Sequence, residues 1–427
     1  MILFNLKANH TNVKIEVIAG LTTFLTMSYV LFVNPSILSL TGMDKGAVFV
    51  ATCLSASIGC ILMGLIANYP IALAPGMGLN AYFTYTVVLS SGHTWQVALG
   101  AVFLSSILFL IVSILPLRAY IINCFPKALN LGIVSGIGLF LMVIGFKNAD
   151  IIISNSETLL SLGNLHQHSA LLAIAGFFLL VTLEALQFKG AIIISILAVT
   201  IASYVFGYAH YNGIFSMPPS IMPTLMQMDI RGAAHLGFFS IIFAFLFVDM
   251  FDNTGNLISI AYQAKLMTPG EKLPRMGRVL VVDSLAAFMG AMLGTSTTTS
   301  YGESIVGVKA GGRTGLTALV VGICFLFALL VSPLAASIPL YATSPVLIYL
   351  ACVMLRMLTK LDWKDVTEFV PGVITALAMP LTFSIANGFA FGFISYTVIK
   401  IFSGRYRDLN FGIVFLALCF VLRFIYK

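Results

Sequence analysis

Pro70-Ile71-Ala72-Leu73-Ala74-Pro75-Gly76-Met77-Gly78-Leu79-Asn80-Ala81-Tyr82 decides the fold. It has a counterpart far along the chain, Gly294-Thr295-Ser296-Thr297-Thr298-Thr299-Ser300-Tyr301-Gly302-Glu303-Ser304. Prolines and glycines prevent the first stretch from being one continuous helix, because proline lacks an N–H and glycine costs backbone entropy. The second is a string of β-branched and hydroxyl side chains, which favours extended backbone and then a capped helix start. Each stretch therefore predicts a short extended piece followed by a half-helix. Both sit in apolar surroundings. Irregular backbone inside a bilayer is tolerated only where protein covers it or it lines a cavity. The pair thus predicts a site near mid-membrane, where two helix N-termini face one another.

Everything around these stretches is apolar. Of 427 residues, 59% are hydrophobic and 9% charged, against roughly 25% charged in soluble domains. No charged skin can be made, and no room remains for an ATPase, kinase or DNA-binding domain. A helical crossing needs about 20 apolar residues. Fourteen runs fit that template, the last at 387–402, and a fifteenth at 409–425 either crosses or lies on the inner surface. With the N-terminus inside, seventeen lysines and arginines fall inside and only Lys45, Lys147 and Arg231 outside. That bias follows the positive-inside rule. The net charge of +7 is then topological, and no nucleic-acid partner is implied. The reading is a multi-pass protein of the cell membrane with a cytoplasmic N-terminus. The first 13 residues lack a signal-peptide core, so the first span inserts uncleaved. Six scattered cysteines read as small packing residues, and His166 with His168 as a loop pair, not a metal site.

Fourteen crossings divide into seven and seven. An odd number per half makes the second half enter from the opposite side, as in an inverted repeat. The two broken stretches occupy the third and tenth runs, matched positions in the two halves.

Five acids fall in the apolar runs: Glu184, Asp249, Asp252, Asp283 and Glu303. A carboxylate in a bilayer costs several kcal/mol, about 3 on insertion scales. Without basic partners it must face water, take a proton, bind a cation or hydrogen-bond a ligand, so an anionic substrate is disfavoured. Asp249 and Asp252 share a helix face at i, i+3. Glu303 opens the second half-helix, where the dipole favours a carboxylate. Asn80 holds the corresponding place in the first. Asp252, Glu303 and Asn80 are candidates to converge on one cavity. Asp249 either carries a proton or braces broken backbone, Asp283 braces the Thr/Ser string, and Glu184 is interfacial. No phosphate-binding loop, zinc-protease or nucleophile-elbow motif is present, which counts against an enzyme. A secondary transporter remains, driven most simply by protons that load a buried carboxylate. It needs no cofactor and no metal.

At these residues the chain resembles the AzgA-like purine permeases, a branch of the nucleobase–cation symporter (xanthine/uracil permease) family. The resemblance rests on Glu16 to Tyr29 with Val33-Asn34-Pro35, Gly64 to Pro70, Ala74 to Ala81, Phe251-Asp252-Asn253-Thr254-Gly255, Gly294 to Ser300 with Glu303-Ser304, and Met379 to Gly388. It covers about residues 14 to 410. It implies an all-α polytopic fold of fourteen spans. A core domain (14–115 and 236–334) would lie beside a gate domain (116–210 and 343–403), followed by an extra apolar segment at 409–427. It also implies uptake of adenine, guanine and hypoxanthine with protons. By motif position, Asp252 and Glu303 would hold the base, with Asn80 nearby. Gly302 and Asn253 depart from the residues usual beside those acids, which bears on substrate preference.

The chemistry agrees. A purine is neutral and planar, with N–H donors at its edge that a carboxylate accepts. Phe251, Tyr82, Phe83 and Tyr301 are candidates to stack on the ring, at about 1–3 kcal/mol per base. The substrate-binding set is then Asn80, Phe251, Asp252, Tyr301 and Glu303, and the proton-coupling set Asp249, Asp252 and Glu303. The rivals are an anion carrier of the same architecture, or a membrane enzyme or channel. Gly132-x-x-x-Gly136 and Gly388-x-x-x-Gly392 permit close helix approach, within the chain or in a homodimer in the lipid bilayer.

Overall fold

The computed structural model describes residues 4–115, 126–155, 158–188, 190–209, 213–235, 238–263 and 276–425. The first span is two helices, α1 (Val13–Met27) and α2 (Val30–Leu38). Asn12 caps α1 by accepting from the Ile15 N–H. The two meet at Ser28–Tyr29, which keep right-handed helical backbone, and Pro35 lies inside α2. Its ring crowds the carbonyl four residues earlier and it offers no N–H. The bonds before it tighten to i→i+3, Leu31 to Ser28 and Phe32 to Tyr29. Next come α3 (Lys45–Leu62), strand β1 (Leu73–Pro75), the half-helix α4 (Met77–Ala81) and α5 (Trp95–Ile114). After α4 the chain continues as a wide π-helical stretch over Tyr82–Ser90. Helices α6 (Lys127–Asn148), α7 (His168–Ala185), α8 (Ala191–Val205) and the short α9 (Ile230–His235) complete the first half.

The second half holds α10 (Phe238–Gln263), α11 (Met276–Leu293), strand β4 (Thr298–Ser300), the half-helix α12 (Ser304–Lys309), α13 (Gly315–Ala328) and α14 (Ser332–Ser337). It ends with α15 (Leu340–Leu355), α16 (Val366–Leu381), α17 (Ile385–Phe402) and α18 (Phe411–Ile425). Among the described residues nine helices are long and apolar enough to cross a membrane, and four apolar helices are shorter.

Packing divides the helices. α1 lies on α12 and α13, α3 on α11, α13 and β1, and α5 on α10 and α11. Separately, α6 lies against α15 and α16, α7 against α8 and α15, and α17 against α16 and α18. Small residues set the closest approaches. A Cβ on Gly315 would stand 2.1 Å from the Gly64 carbonyl oxygen, and one on Gly132 would stand 2.3 Å from that of Gly372. The second contact joins α6 to α16. Gly136 meets Ala376 and Met379, while Gly388 and Gly392 meet Met379 and Thr375. Both GxxxG pairs are therefore occupied by packing within the chain.

Three features differ from the sequence reading or refine it. Strands β2 (Ile152–Asn155) and β3 (Leu159–Leu162) form an antiparallel hairpin between α6 and α7, where the polar residues pointed only to a loop. Helix α18 runs back along α17. Phe393 meets Phe420 at 6.0 Å and Phe391 meets Phe424 at 5.7 Å between ring centres. Finally, Lys400 at the end of α17 is 1% exposed, where the sequence reading counted it only among the seventeen inside charges. Its ammonium donates to Glu368 (2.6 Å) and Asp408 (2.8 Å), tying α17 to the start of α16 and the turn before α18. Beside it, the Thr367 hydroxyl and the Arg405 guanidinium hold the Asp365 carboxyl down at about 2. That tie is fully present above the ordinary carboxylate range and is lost as pH falls towards 2. Lys400→Ala would strand the two acids. They are partly exposed, so we expect a loss of about 1–3 kcal/mol, at or below the cost of breaking a fully buried pair, read as an earlier melting transition in detergent.

Candidate substrate site

The two broken stretches meet. β1 and β4 pair antiparallel, Leu73 opposite Ser300, Ala74 opposite Thr299 and Pro75 opposite Thr298. The ladder extends at both ends, since Gly76 N donates to Thr297 O and Tyr301 N to Ala72 O, each at 2.9 Å. The Ser304 hydroxyl accepts from Ala72 N at 3.0 Å. Backbone polar groups that a bilayer could not solvate are thus satisfied by the other half of the chain. Both strands are wholly buried. Gly76 serves this crossing, because a Cβ there would lie 2.8 Å from the Thr299 methyl.

The flanking helices fix the strands. Ser300 Oγ donates to Asp283 Oδ1 on α11 at 3.1 Å, so Asp283 does brace the Thr/Ser string. Asn34 Nδ2 on α2 donates to Thr52 Oγ1 at 2.6 Å and Thr295 Oγ1 at 2.9 Å. Tyr301 Oη donates to the Pro75 carbonyl at 2.6 Å, which locks its ring over the crossing.

Asn80 is fully buried on α4, and its side-chain oxygen accepts from the Ser296 hydroxyl. Glu303 stands at the N-cap of α12, beyond the other end of β4. Tyr29 Oη donates to Glu303 Oε1 at 2.7 Å. Asn80 therefore engages Ser296, not Glu303. Asp249 is 1% exposed on α10, a helix that packs on β4, α12 and α4. The backbone of α10 carries Phe251 and Asp252 through the same region. Their side chains lie outside the described residues. Of the stacking candidates, Tyr82 and Phe83 are fully buried, and Tyr82 packs edge-on against Phe245 at 4.8 Å. Glu184 is half-buried near one end of α7.

Two side chains escaped the sequence reading. Glu16 is wholly buried on α1 and reaches across to the start of α13. It accepts from the N–H groups of Arg313 (2.9 Å), Thr314 (3.3 Å) and Thr317 (3.2 Å), and from the Thr317 hydroxyl (2.6 Å). It lay at the edge of an apolar run, where acids are ordinarily interfacial. Tyr29 was visible only as part of a motif, since aromatic residues abound in this chain.

A helical protein of many apolar crossings, closed around two broken segments and a buried acidic side chain, has the build of a solute permease. Residues 14–391 match the model described as the Permease family (xanthine/uracil type), and the chain belongs to that family. It is 48% identical to the adenine permease AdeP of Escherichia coli (strain K12), over 99% of this chain and 95% of AdeP. It is 42% identical to the guanine/hypoxanthine permease PbuO of Bacillus subtilis (strain 168), over 99% of this chain and 100% of PbuO. Among solved structures, the transmembrane domain of the cyanobacterial bicarbonate transporter BicA superposes with a TM-score of 0.70. It covers 88% of this chain and 97% of that domain at 16% identity, a likeness of fold alone.

Proposed function

We propose that the chain is a proton-coupled symporter importing purine nucleobases, with adenine, guanine and hypoxanthine as substrates. Glu303 carries this reading. An acid sits at the start of a half-helix, in a segment paired with its twin, where an uncharged base can donate N–H groups to it. The relatives named for adenine and for guanine with hypoxanthine point to the same substrates. Asp252 supplies the second carboxylate from α10, Asn80 a neutral donor and acceptor, and Phe251 and Tyr301 the aromatic surfaces. Asp249, Asp252 and Glu303 are the groups through which the proton passes.

The nine long apolar helices, together with α8, α10, α16 and the two broken segments, make fourteen crossings in an inverted repeat. The helices grouped about β1 and β4 form the core, and those grouped about α6 and α16 the gate. Transport moves one against the other by alternating access. The end carrying Lys309, Arg313, Lys400 and Arg405 faces the cytoplasm, with the N-terminus.

The likeness to a bicarbonate transporter raises an anion carrier as the second reading. Glu303 opposes it, because no described lysine or arginine side chain pairs with that carboxylate. The test is uptake of labelled adenine, guanine, hypoxanthine, xanthine and uracil by cells lacking their own permeases, with and without a protonophore. We expect purine uptake that collapses with the protonophore. Purine-insensitive transport competed by sulfate or bicarbonate would establish the anion carrier instead.

A further inference from the structure

We propose that Tyr29 is a positioning residue of the base site, holding one oxygen of Glu303 so that the other is presented to the substrate. The inference rests on the purine reading and adds a residue to it. Tyr29 is 2% exposed and sits at the junction of α1 and α2 in the first span. Its hydroxyl reaches across to the second half of the chain, where it donates to Glu303 Oε1 at 2.7 Å. Among the described residues, Tyr29 is the one side chain hydrogen-bonded to the Glu303 carboxyl, which is half-buried. The neighbouring groups are already engaged. The Tyr301 hydroxyl goes to Pro75, and its ring centre lies 6.4 Å from that of Tyr29. Ser304 Oγ accepts from Ala72. Among the described side chains, the carboxylate is therefore held through Oε1 by Tyr29 alone.

A glutamate has three rotatable bonds, and its terminal torsion is broad. Left alone, it would lose that freedom each time a base bound. A hydroxyl clamp orders the acceptor in advance, and such preorganisation strengthens binding without a new contact to the ligand. It also occupies one of the acid's roughly four acceptor sites.

The experiment compares the wild-type chain, Tyr29→Phe and a control, Tyr396→Phe, in labelled-purine uptake at matched membrane abundance. The control removes a similar hydroxyl-to-carboxylate bond, from Tyr396 to Glu368 at 3.3 Å, far from the strand crossing. For Tyr29→Phe we expect KM to rise about tenfold with Vmax within about twofold, the signature of lost ground-state binding. Its melting temperature without ligand should match the wild type, while the purine-induced rise shrinks. Tyr396→Phe should leave KM unchanged. A wild-type KM in Tyr29→Phe, alongside normal wild-type uptake, overturns the role of Tyr29 and leaves the purine reading intact. Failure of Tyr29→Phe to accumulate, or an equal change in the control, assigns the contact to the fold and also overturns it. No purine uptake by the wild type removes the underlying reading itself.

Discussion

Glu303→Gln is expected to lower purine uptake at least 100-fold at normal membrane abundance. The amide is nearly isosteric and keeps an oxygen for Tyr29, so the fold should survive. What it loses is the charge that strengthens each N–H contact, about 1.5–3 kcal/mol for a bond to a charged group, and the ability to carry a proton. Loss of binding alone accounts for roughly one to two powers of ten. On the proposed proton coupling, loss of the proton step accounts for the remainder. Asp252→Asn should behave in the same way. Binding and transport separate the two losses, because the glutamine variant should still show weak purine protection against melting while moving no purine against a gradient. Wild-type uptake in both variants would refute the assignment of these acids.

Glu16→Ala should produce the largest fall in stability. One carboxylate satisfies three N–H groups and a hydroxyl at the start of α13, all in a buried place. Each buried donor left unsatisfied costs about 1–3 kcal/mol, and the positive helix end loses its counter-charge. With some relaxation and entry of water, about 3–5 kcal/mol is a reasonable total on that basis. Glutamine keeps one acceptor oxygen and should recover roughly half of it. The order wild type, Glu16→Gln, Glu16→Ala in melting temperature checks this. An alanine variant that melts with the wild type would show that water replaces the carboxylate.

The sequence announced the parts of this site that break a rule. Proline and glycine in the third run, and a hydroxyl string in the tenth, cannot be ordinary bilayer helix, and both became strands. Asp283 was readable because a charge in an apolar run needs a partner and the Thr/Ser string offered one. What escaped was pairing between distant residues. Tyr29 looks like any other aromatic, and only the packed fold brings its hydroxyl to residue 303. Lys400 was counted only as one of the inside charges, because it lies at a helix end, where cations usually meet water. Its two acids come from the start of α16 and the turn before α18, so its burial is a property of how those elements pack. The β2–β3 hairpin was missed because two strands of four residues carry little periodicity.

The crossed strands also say something about how the molecule is made. The Tyr301–Pro75 contact joins residues 226 apart. At about 5–20 residues per second, a ribosome takes roughly 10–45 s to travel that distance. Throughout that interval the N–H groups of Ala72 and Gly76 lack the second-half partners they take in the folded chain, and hydrocarbon offers none. The newborn first half must therefore wait in a wet or chaperoned place, and a chain released before residue 297 is an orphan that quality control should destroy.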